Sequence, residues 1–252
     1  MHFIGEMVMS RVLFLALLLS VAFSSRGSQP QINVGLLFDY MPPESGNVLK
    51  RIRNTGDATA YVRVEVVQMH FDANGQVTES AVDTTALARS SAGAQGVIAS
   101  PGRLIIAAHG QQATRLVYRG PRDEERYYRL RFIPVAPTAD EFALSEAQAS
   151  EAAAVASAVQ VFTGFGTVLF IAPEQPRYNT RIESGQVHND GNATIVLSNL
   201  RHCQSAEPDR CSPGTIVHVR PGRSHVLEEA PGQFSRYELR EGSSRRMIDS
   251  RR

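Results

Sequence analysis

The chain has 252 residues, with 26 basic against 25 acidic side chains, 42% apolar residues and no tryptophan. A formal net charge of +1 leaves no electrostatic footprint for nucleic acid, and the basic ending SSRRMIDSRR reads as a short solvated tail. The length accommodates one large or two small domains.

Arg11 precedes an apolar run over residues 12–23 (VLFLALLLSVAF), followed by the small and polar SSRGSQP. This is the pattern of a cleaved secretory signal, assigned to residues 1–24. The alternative is an uncleaved anchor, but about 12 apolar residues fall short of the roughly 20 that span a bilayer. Nothing further along is apolar enough to cross one, so no membrane insertion is expected after cleavage.

The remainder is strand-rich. Alternating segments are predicted at 48–52, 60–67, 112–118, 126–133, 194–197 and 215–219. Asn74-Gly75 predicts a tight hairpin, because both residues tolerate positive φ. Pro101-Gly102, Gly120-Pro121 and Pro221-Gly222 mark further turns. The acidic run Asp123-Glu124-Glu125 sits beside turn residues and reads as solvated loop. Residues 138–154 are rich in Ala, Glu and Ser and lack a sustained apolar stripe, so they are expected to be helical or mobile.

Residues 155–173 (VASAVQVFTGFGTVLFIAP) read as one strand, far beyond the ordinary length of about 5–6 residues. Val155, Ser157, Val159 and Val161 share one face, since strand side chains alternate. Beyond Gly164 and Gly166 both faces turn apolar. One end of such a strand packs into its own protein, and the other has an edge available to something else.

Cys203 and Cys211 are the only cysteines. In an exported chain two nearby cysteines pair, closing a short loop around Pro208. His202 and His218 flank them, but this spacing matches no tight zinc knuckle, and no metal is expected. There is no G-x-S-x-G, H-E-x-x-H or C-x-x-C motif and no glycine-rich phosphate loop. The reading is therefore non-enzymatic, without cofactor.

A short internal repeat points to two similar domains. Asn54-Thr-Gly-Asp-Ala-Thr59 precedes the strand AYVRVEV, and Asn189-Asp-Gly-Asn-Ala-Thr194 precedes IVLSNL. A polar turn with a central glycine leads into a strand each time, as in paired immunoglobulin-like sandwiches. The boundary is expected just after Ala172, in the proline-interrupted PEQPRY.

These features, taken in order, resemble the periplasmic chaperones of chaperone–usher pilus assembly, in the branch serving class-5 or common pili. The carriers are Asn54-x-Gly56, SPGRLIIAAHGQQATRLVYRG, and the segment from Arg122 ending in Ile133-Pro134. They continue with the alternating strand into Phe170-Ile-Ala-Pro173, then Asn189 to Asn192, the cysteine pair, Pro221-Gly222 and a last strand around Tyr237. The resemblance implies an all-β protein of two immunoglobulin-like β-sandwich domains in a boomerang. Residues 29–173 form the N-terminal domain, which carries the donor strand, and 174–252 the C-terminal domain.

It further implies a periplasmic chaperone that binds pilus or fimbrial subunits by donor-strand complementation and delivers them to an outer-membrane usher. Val155, Ser157, Val159 and Val161 would be the donor face. The family's conventional branch anchors the subunit's C-terminal carboxylate with an arginine on the first strand and a lysine on the long strand. Here QINVGLLFDYM has no basic residue, and the lysine position falls at Val168. Arg129, Arg131, Arg177 and Arg181 are the candidate substitutes. Two other classes are weighed. A structural or adhesive fibre subunit should lack a complete second domain. A secreted carbohydrate-binding protein would favour aromatic platforms, against which the absence of tryptophan counts.

Overall fold

A computed structural model describes residues 29–89, 91–147, 149–150 and 161–251. The expected signal segment, and Val155, Ser157 and Val159 of the expected donor face, lie outside these residues. Strands β1 (Ile32–Asn33), β2 (Phe38–Met41), β3 (Asn47–Asn54), β4 (Ala60–Phe71) and β5 (Val77–Ala81) come first. They are followed by β6 (Gly96–Ser100), β7 (Arg103–Ile106), β8 (Gln111–Arg119), β9 (Arg126–Pro134) and β10 (Phe165–Ile171). The rest of the chain supplies β11 (Thr180–Glu183), β12 (Gln186–Asn189), β13 (Ile195–Gln204), β14 (Thr215–Val219), β15 (Arg223–Val226), β16 (Gln233–Glu241) and β17 (Ser244–Asp249). Short helices α1 (Thr84–Ala88) and α2 (Ala139–Phe142) interrupt the strands. The sequence reading missed α1, whose first turn is capped by the Asp83 side chain accepting from Ala86 N–H.

The strands form two pairs of sheets. In the first pair, the order β1-β3-β8-β6 faces β2-β10-β9-β4-β5, with β7 also on β4. In the second, β11-β12-β15 faces β14-β13-β16-β17. Period-two patterning explains each core. Strand β9 buries Tyr128, Leu130 and Phe132 and turns Arg129 and Arg131 outward. The first core is built on Ile52, Val62, Leu116, Leu130, Phe132 and Leu169. The second is built on Val187, Ile195, Leu197, Val219, Tyr237 and Leu239. Each such side chain contributes roughly 1.5–3 kcal/mol on burial.

The internal repeat is structural. Asn54 Nδ2 donates to Ala58 O, Ile106 O and Ala107 O, while its Oδ1 accepts from Gln31 N–H and Gly56 N–H. Asn189 Nδ2 donates to Ala193 O and Val219 O, and its Oδ1 accepts from Gly191 N–H. Both asparagines are buried and tie a turn to the strand beyond it. The central glycines are needed for space. A Cβ on Gly56 would stand 2.1 Å from Gln29 O, and one on Gly191 would stand 2.2 Å from Arg177 O.

Of the described part of the long alternating run, Phe165–Ile171 is strand and residues 161–164 are irregular. The reason is the partner. In the antiparallel register with β9, Phe165 faces Phe132, so Thr163 would fall opposite Pro134, which has no N–H to donate. Further back, Val161 would fall opposite Ala136, which stands beside Pro137 and past the end of β9.

Candidate functional site

The site begins at the edge of β10. On one side the whole of Phe165–Ile171 pairs with β9. On the other, the parallel partner β2 covers only Val168–Ile171, with Val168 opposite Phe38. The half of β10 before Val168 therefore has an edge without a neighbouring strand among the described residues. Just before it, Val161 is 77% exposed.

Alternation divides β10 into two faces. Leu169 and Ile171 enter the first core. Val168 and Phe170 point outward, beside Arg129 and Tyr127 of β9. Arg129 thus stands directly across from Val168, and Arg131 across from Gly166. Both arginines are half-exposed and both pair with Glu79 of β5, Arg129 at 2.8 Å. Arg177 lines a crevice with Asp123, Arg126 and Arg220. Arg181 is committed elsewhere, to Asp190 at 2.5 Å and to Glu183. The structure brings Arg129 and Arg131 together at the open end of β10 and leaves Arg177 and Arg181 outside that cluster.

Aromatic side chains from β2 and β10 meet the second pair of sheets here. The His218 imidazole of β14 stacks on Phe170 at 4.8 Å and lies 4.2 Å from Phe38. Its Nε2 stands 2.6 Å from the Tyr40 hydroxyl. Burial pushes the Tyr40 phenol up to about 12, so it stays protonated and donates. Burial, reinforced by the nearby Arg240 cation, holds His218 down to about 4, so the imidazole is neutral and accepts. Beside this contact, Leu36, Leu37, Val48 and Ile216 line an open apolar groove of about 470 Å³. Arg240 closes one wall, its Nε buried without a hydrogen-bond partner.

A second set of contacts holds the same junction. Glu125 is not solvated loop, as the acidic run suggested. Its carboxylate accepts from Thr194 N–H at 3.0 Å, from Thr194 Oγ1 at 2.5 Å and from the Tyr127 hydroxyl at 2.6 Å. Burial raises its pKa, and the Thr194 and Tyr127 hydrogen bonds oppose the rise. Arg220 lies 3.6 Å over the Phe71 ring. Arg223 donates to Ala73 O and Asp72 O, the carbonyls of the Asn74-Gly75 hairpin. That turn, expected only as a hairpin, is also a docking point.

Sequence reasoning missed Lys50, the only lysine in the chain. It is 4% exposed, and its Nζ donates to Leu36 O at 2.5 Å and to Asp39 at 2.7 Å. It fastens the crossover from β1 to β2, which carries Leu36 and Leu37 of the groove. The signal was present: Lys50 lies in period two with Val48 and Ile52, on the inward face of β3.

Cys203 and Cys211 are disulfide-bonded, so neither is a thiolate ligand, and the zinc alternative falls. Among the described residues no helix is long and apolar enough to cross a membrane.

No family model matches the chain. The probable fimbrial chaperone EcpB of Escherichia coli O1:K1 is 28% identical over 211 residues, covering 82% of this chain and 85% of that protein. EcpB of E. coli K12 (DH10B) is 28% identical over 212 residues. Among solved structures, the class 5 fimbriae chaperone CfaA aligns with a TM-score of 0.52 at 14% identity, over 87% of this chain and 99% of CfaA. Pseudomonas aeruginosa CupB2 chaperone aligns with a TM-score of 0.52 at 13% identity, over 86% and 98%. The chain is homologous to the probable fimbrial chaperone EcpB and has the two-domain β fold of the CfaA and CupB2 chaperones.

Proposed function

We propose that the chain is a periplasmic, non-enzymatic chaperone that holds fimbrial subunits by donor-strand complementation and passes them to an outer-membrane usher. The division at 173/174 separates the donor domain from the second domain. The observation that carries the reading is the half-covered edge of β10. A subunit lacking a strand would extend β10 along the side that β2 leaves open. In a strand continued back from β10, Val155, Ser157, Val159 and Val161 would have the parity of Leu169 and Ile171. A subunit strand paired there would bring the valines into its own core as a continuation of this one. The free energy comes from strand pairing and from burial of the valines, about 1–2 kcal/mol for each.

The subunit's C-terminal carboxylate would meet Arg129 and Arg131, which stand beside the positions where Val168 and Gly166 offer no cation. A guanidinium binds a carboxylate through two parallel hydrogen bonds, here in exchange for Glu79. The test pairs two substitutions with circular-dichroism melts and subunit copurification. Val159→Glu is expected to abolish copurification and leave the melt unchanged, because an unpaired carboxylate in a dry groove costs several kcal/mol. Leu169→Glu is expected to unfold the first domain. If Val159→Glu melts like Leu169→Glu, or still binds subunit normally, the donor assignment is wrong.

A further inference from the structure

We propose that the outward face of the β1-β3-β8-β6 sheet docks a protein partner that presents carboxylates on a flat surface. This face is separate from the edge of β10 and from the groove at His218. Its cations without a partner among the described residues are Arg51 and Arg53 on β3 and Arg115 on β8, all exposed; Arg119, further along the same face of β8, donates to Leu87 O. Register brings them together. Arg51 pairs with Ala113 and Leu49 with Arg115, so Arg51 and Arg115 are diagonal neighbours, with Arg53 one repeat along. None of the outward positions of the four strands is acidic.

Several arginines elsewhere in the molecule have counterions of their own. Arg129 and Arg131 share Glu79, Arg181 has Asp190, and Arg236 has Asp249. Arg51, Arg53 and Arg115 have no hydrogen bond or ion pair among the described residues. Adjacent like charges on one sheet face oppose folding, and a partner's carboxylates reverse the sign of that interaction.

The neighbours of the arginines select the partner's class. Leu49 (45% exposed) sits beside Arg51 and opposite Arg115, and Val117 and Ile98 adjoin Arg115 on the same face. They belong to strands, level with the sheet, and not to a loop that could enter a bilayer. Three cations alone hold an anionic membrane weakly. Arginines set in aliphatic surface are, by contrast, the usual energetic centres of protein interfaces, where each can grip a carboxylate through two bonds.

The test uses the mature full chain and fluorescently labelled poly-L-glutamate, read by anisotropy at low salt. Binding that weakens at least tenfold in Arg51→Glu/Arg115→Glu, with an unchanged circular-dichroism melt, supports the face. The control Arg245→Glu/Arg246→Glu carries the same charge change on β17 and should weaken binding less than twofold. Should the glutamate pair lower the melt, Arg51→Gln/Arg115→Gln replaces it, with a loss of several-fold expected. Equal loss in the control reduces the effect to net charge and overturns the proposal, as does a wild type that ignores poly-L-glutamate. Binding of phosphatidylglycerol vesicles that depends on Arg51 and Arg115 and exceeds that of poly-L-glutamate assigns the face to a bilayer instead. Val159→Glu should leave poly-L-glutamate binding intact, and the arginine variants should still copurify with subunit, so the two readings fail separately.

Discussion

At the scale of single residues, two side chains carry testable consequences. His218 is neutral because burial among Phe38, Tyr40 and Phe170 disfavours its cation, with Arg240 adding repulsion. Its folded pKa of about 4 lies below the ordinary 6.5. Between these values the unfolded chain binds the proton and the folded chain does not, so stability from this group is complete above pH 6.5 and declines as pH falls toward 4. Glu125, with its raised pKa, contributes in the opposite direction, so the effect is read as a difference. The stability advantage of wild type over His218→Gln should shrink between pH 7 and pH 4.5 in denaturant titrations. A constant difference would refute the assignment. Asn189 offers a second test. Asn189→Ala strands the Gly191 N–H and the Ala193 and Val219 carbonyls in a buried site, and should cost about 3 kcal/mol, measured by urea unfolding.

At the scale of elements, β10 shows how one strand holds two environments. Its C-terminal half is covered on both edges by β2 and β9, and its N-terminal half is covered on one. The limit is set by proline at 134 and by the late start of β2 at Phe38. Replacing Pro134 with valine restores a donor and should extend β10 backward by about two residues, visible as new slow-exchanging amides near Thr163. The disulfide works at the same scale. It joins residues eight apart in sequence across the β13 end, in the loop that Glu207, Pro208 and Arg210 occupy. The closed loop limits the unfolded ensemble, so Cys203→Ala/Cys211→Ala should lose about 2–3 kcal/mol. A thermal melt with and without reductant gives the same comparison on wild type.

At the scale of the whole molecule, the junction between the two pairs of sheets depends on few groups. Glu125 on Thr194, Arg220 on Phe71, Arg223 on the β4–β5 hairpin and Tyr40 on His218 supply it. Interfaces between domains of one chain are generally small and polar, with motion as the default. Glu125→Ala removes the acceptor for Thr194 N–H and Oγ1 together. It is expected to broaden the relative orientation of the domains, seen as altered residual dipolar couplings between them, while each core keeps its own couplings. An unchanged relative alignment would show that the aromatic contacts suffice.

The all-β class, the two asparagine turns, the hairpin at Asn74-Gly75 and the cysteine pairing were legible in the chain itself. Each rests on local chemistry: side-chain alternation, a glycine where the backbone passes closely, an amide that satisfies its own turn, two thiols near in sequence. What the tertiary structure decided concerns groups whose surroundings come from distant segments. Glu125 reads as a solvated acid until Thr194 of the second domain covers it. Lys50 has the inward parity of Val48 and Ile52 in the chain, but the acceptors that hold its ammonium, Leu36 O and Asp39, come from the crossover that closes over it. Strand pairing likewise needs a partner: the run from Val155 to Pro173 has strand chemistry throughout, and among its described residues ladder hydrogen bonds form only where β9 and β2 offer an N–H and a carbonyl. A residue's type sets what it can bond, and the neighbours that folding delivers set whether it does.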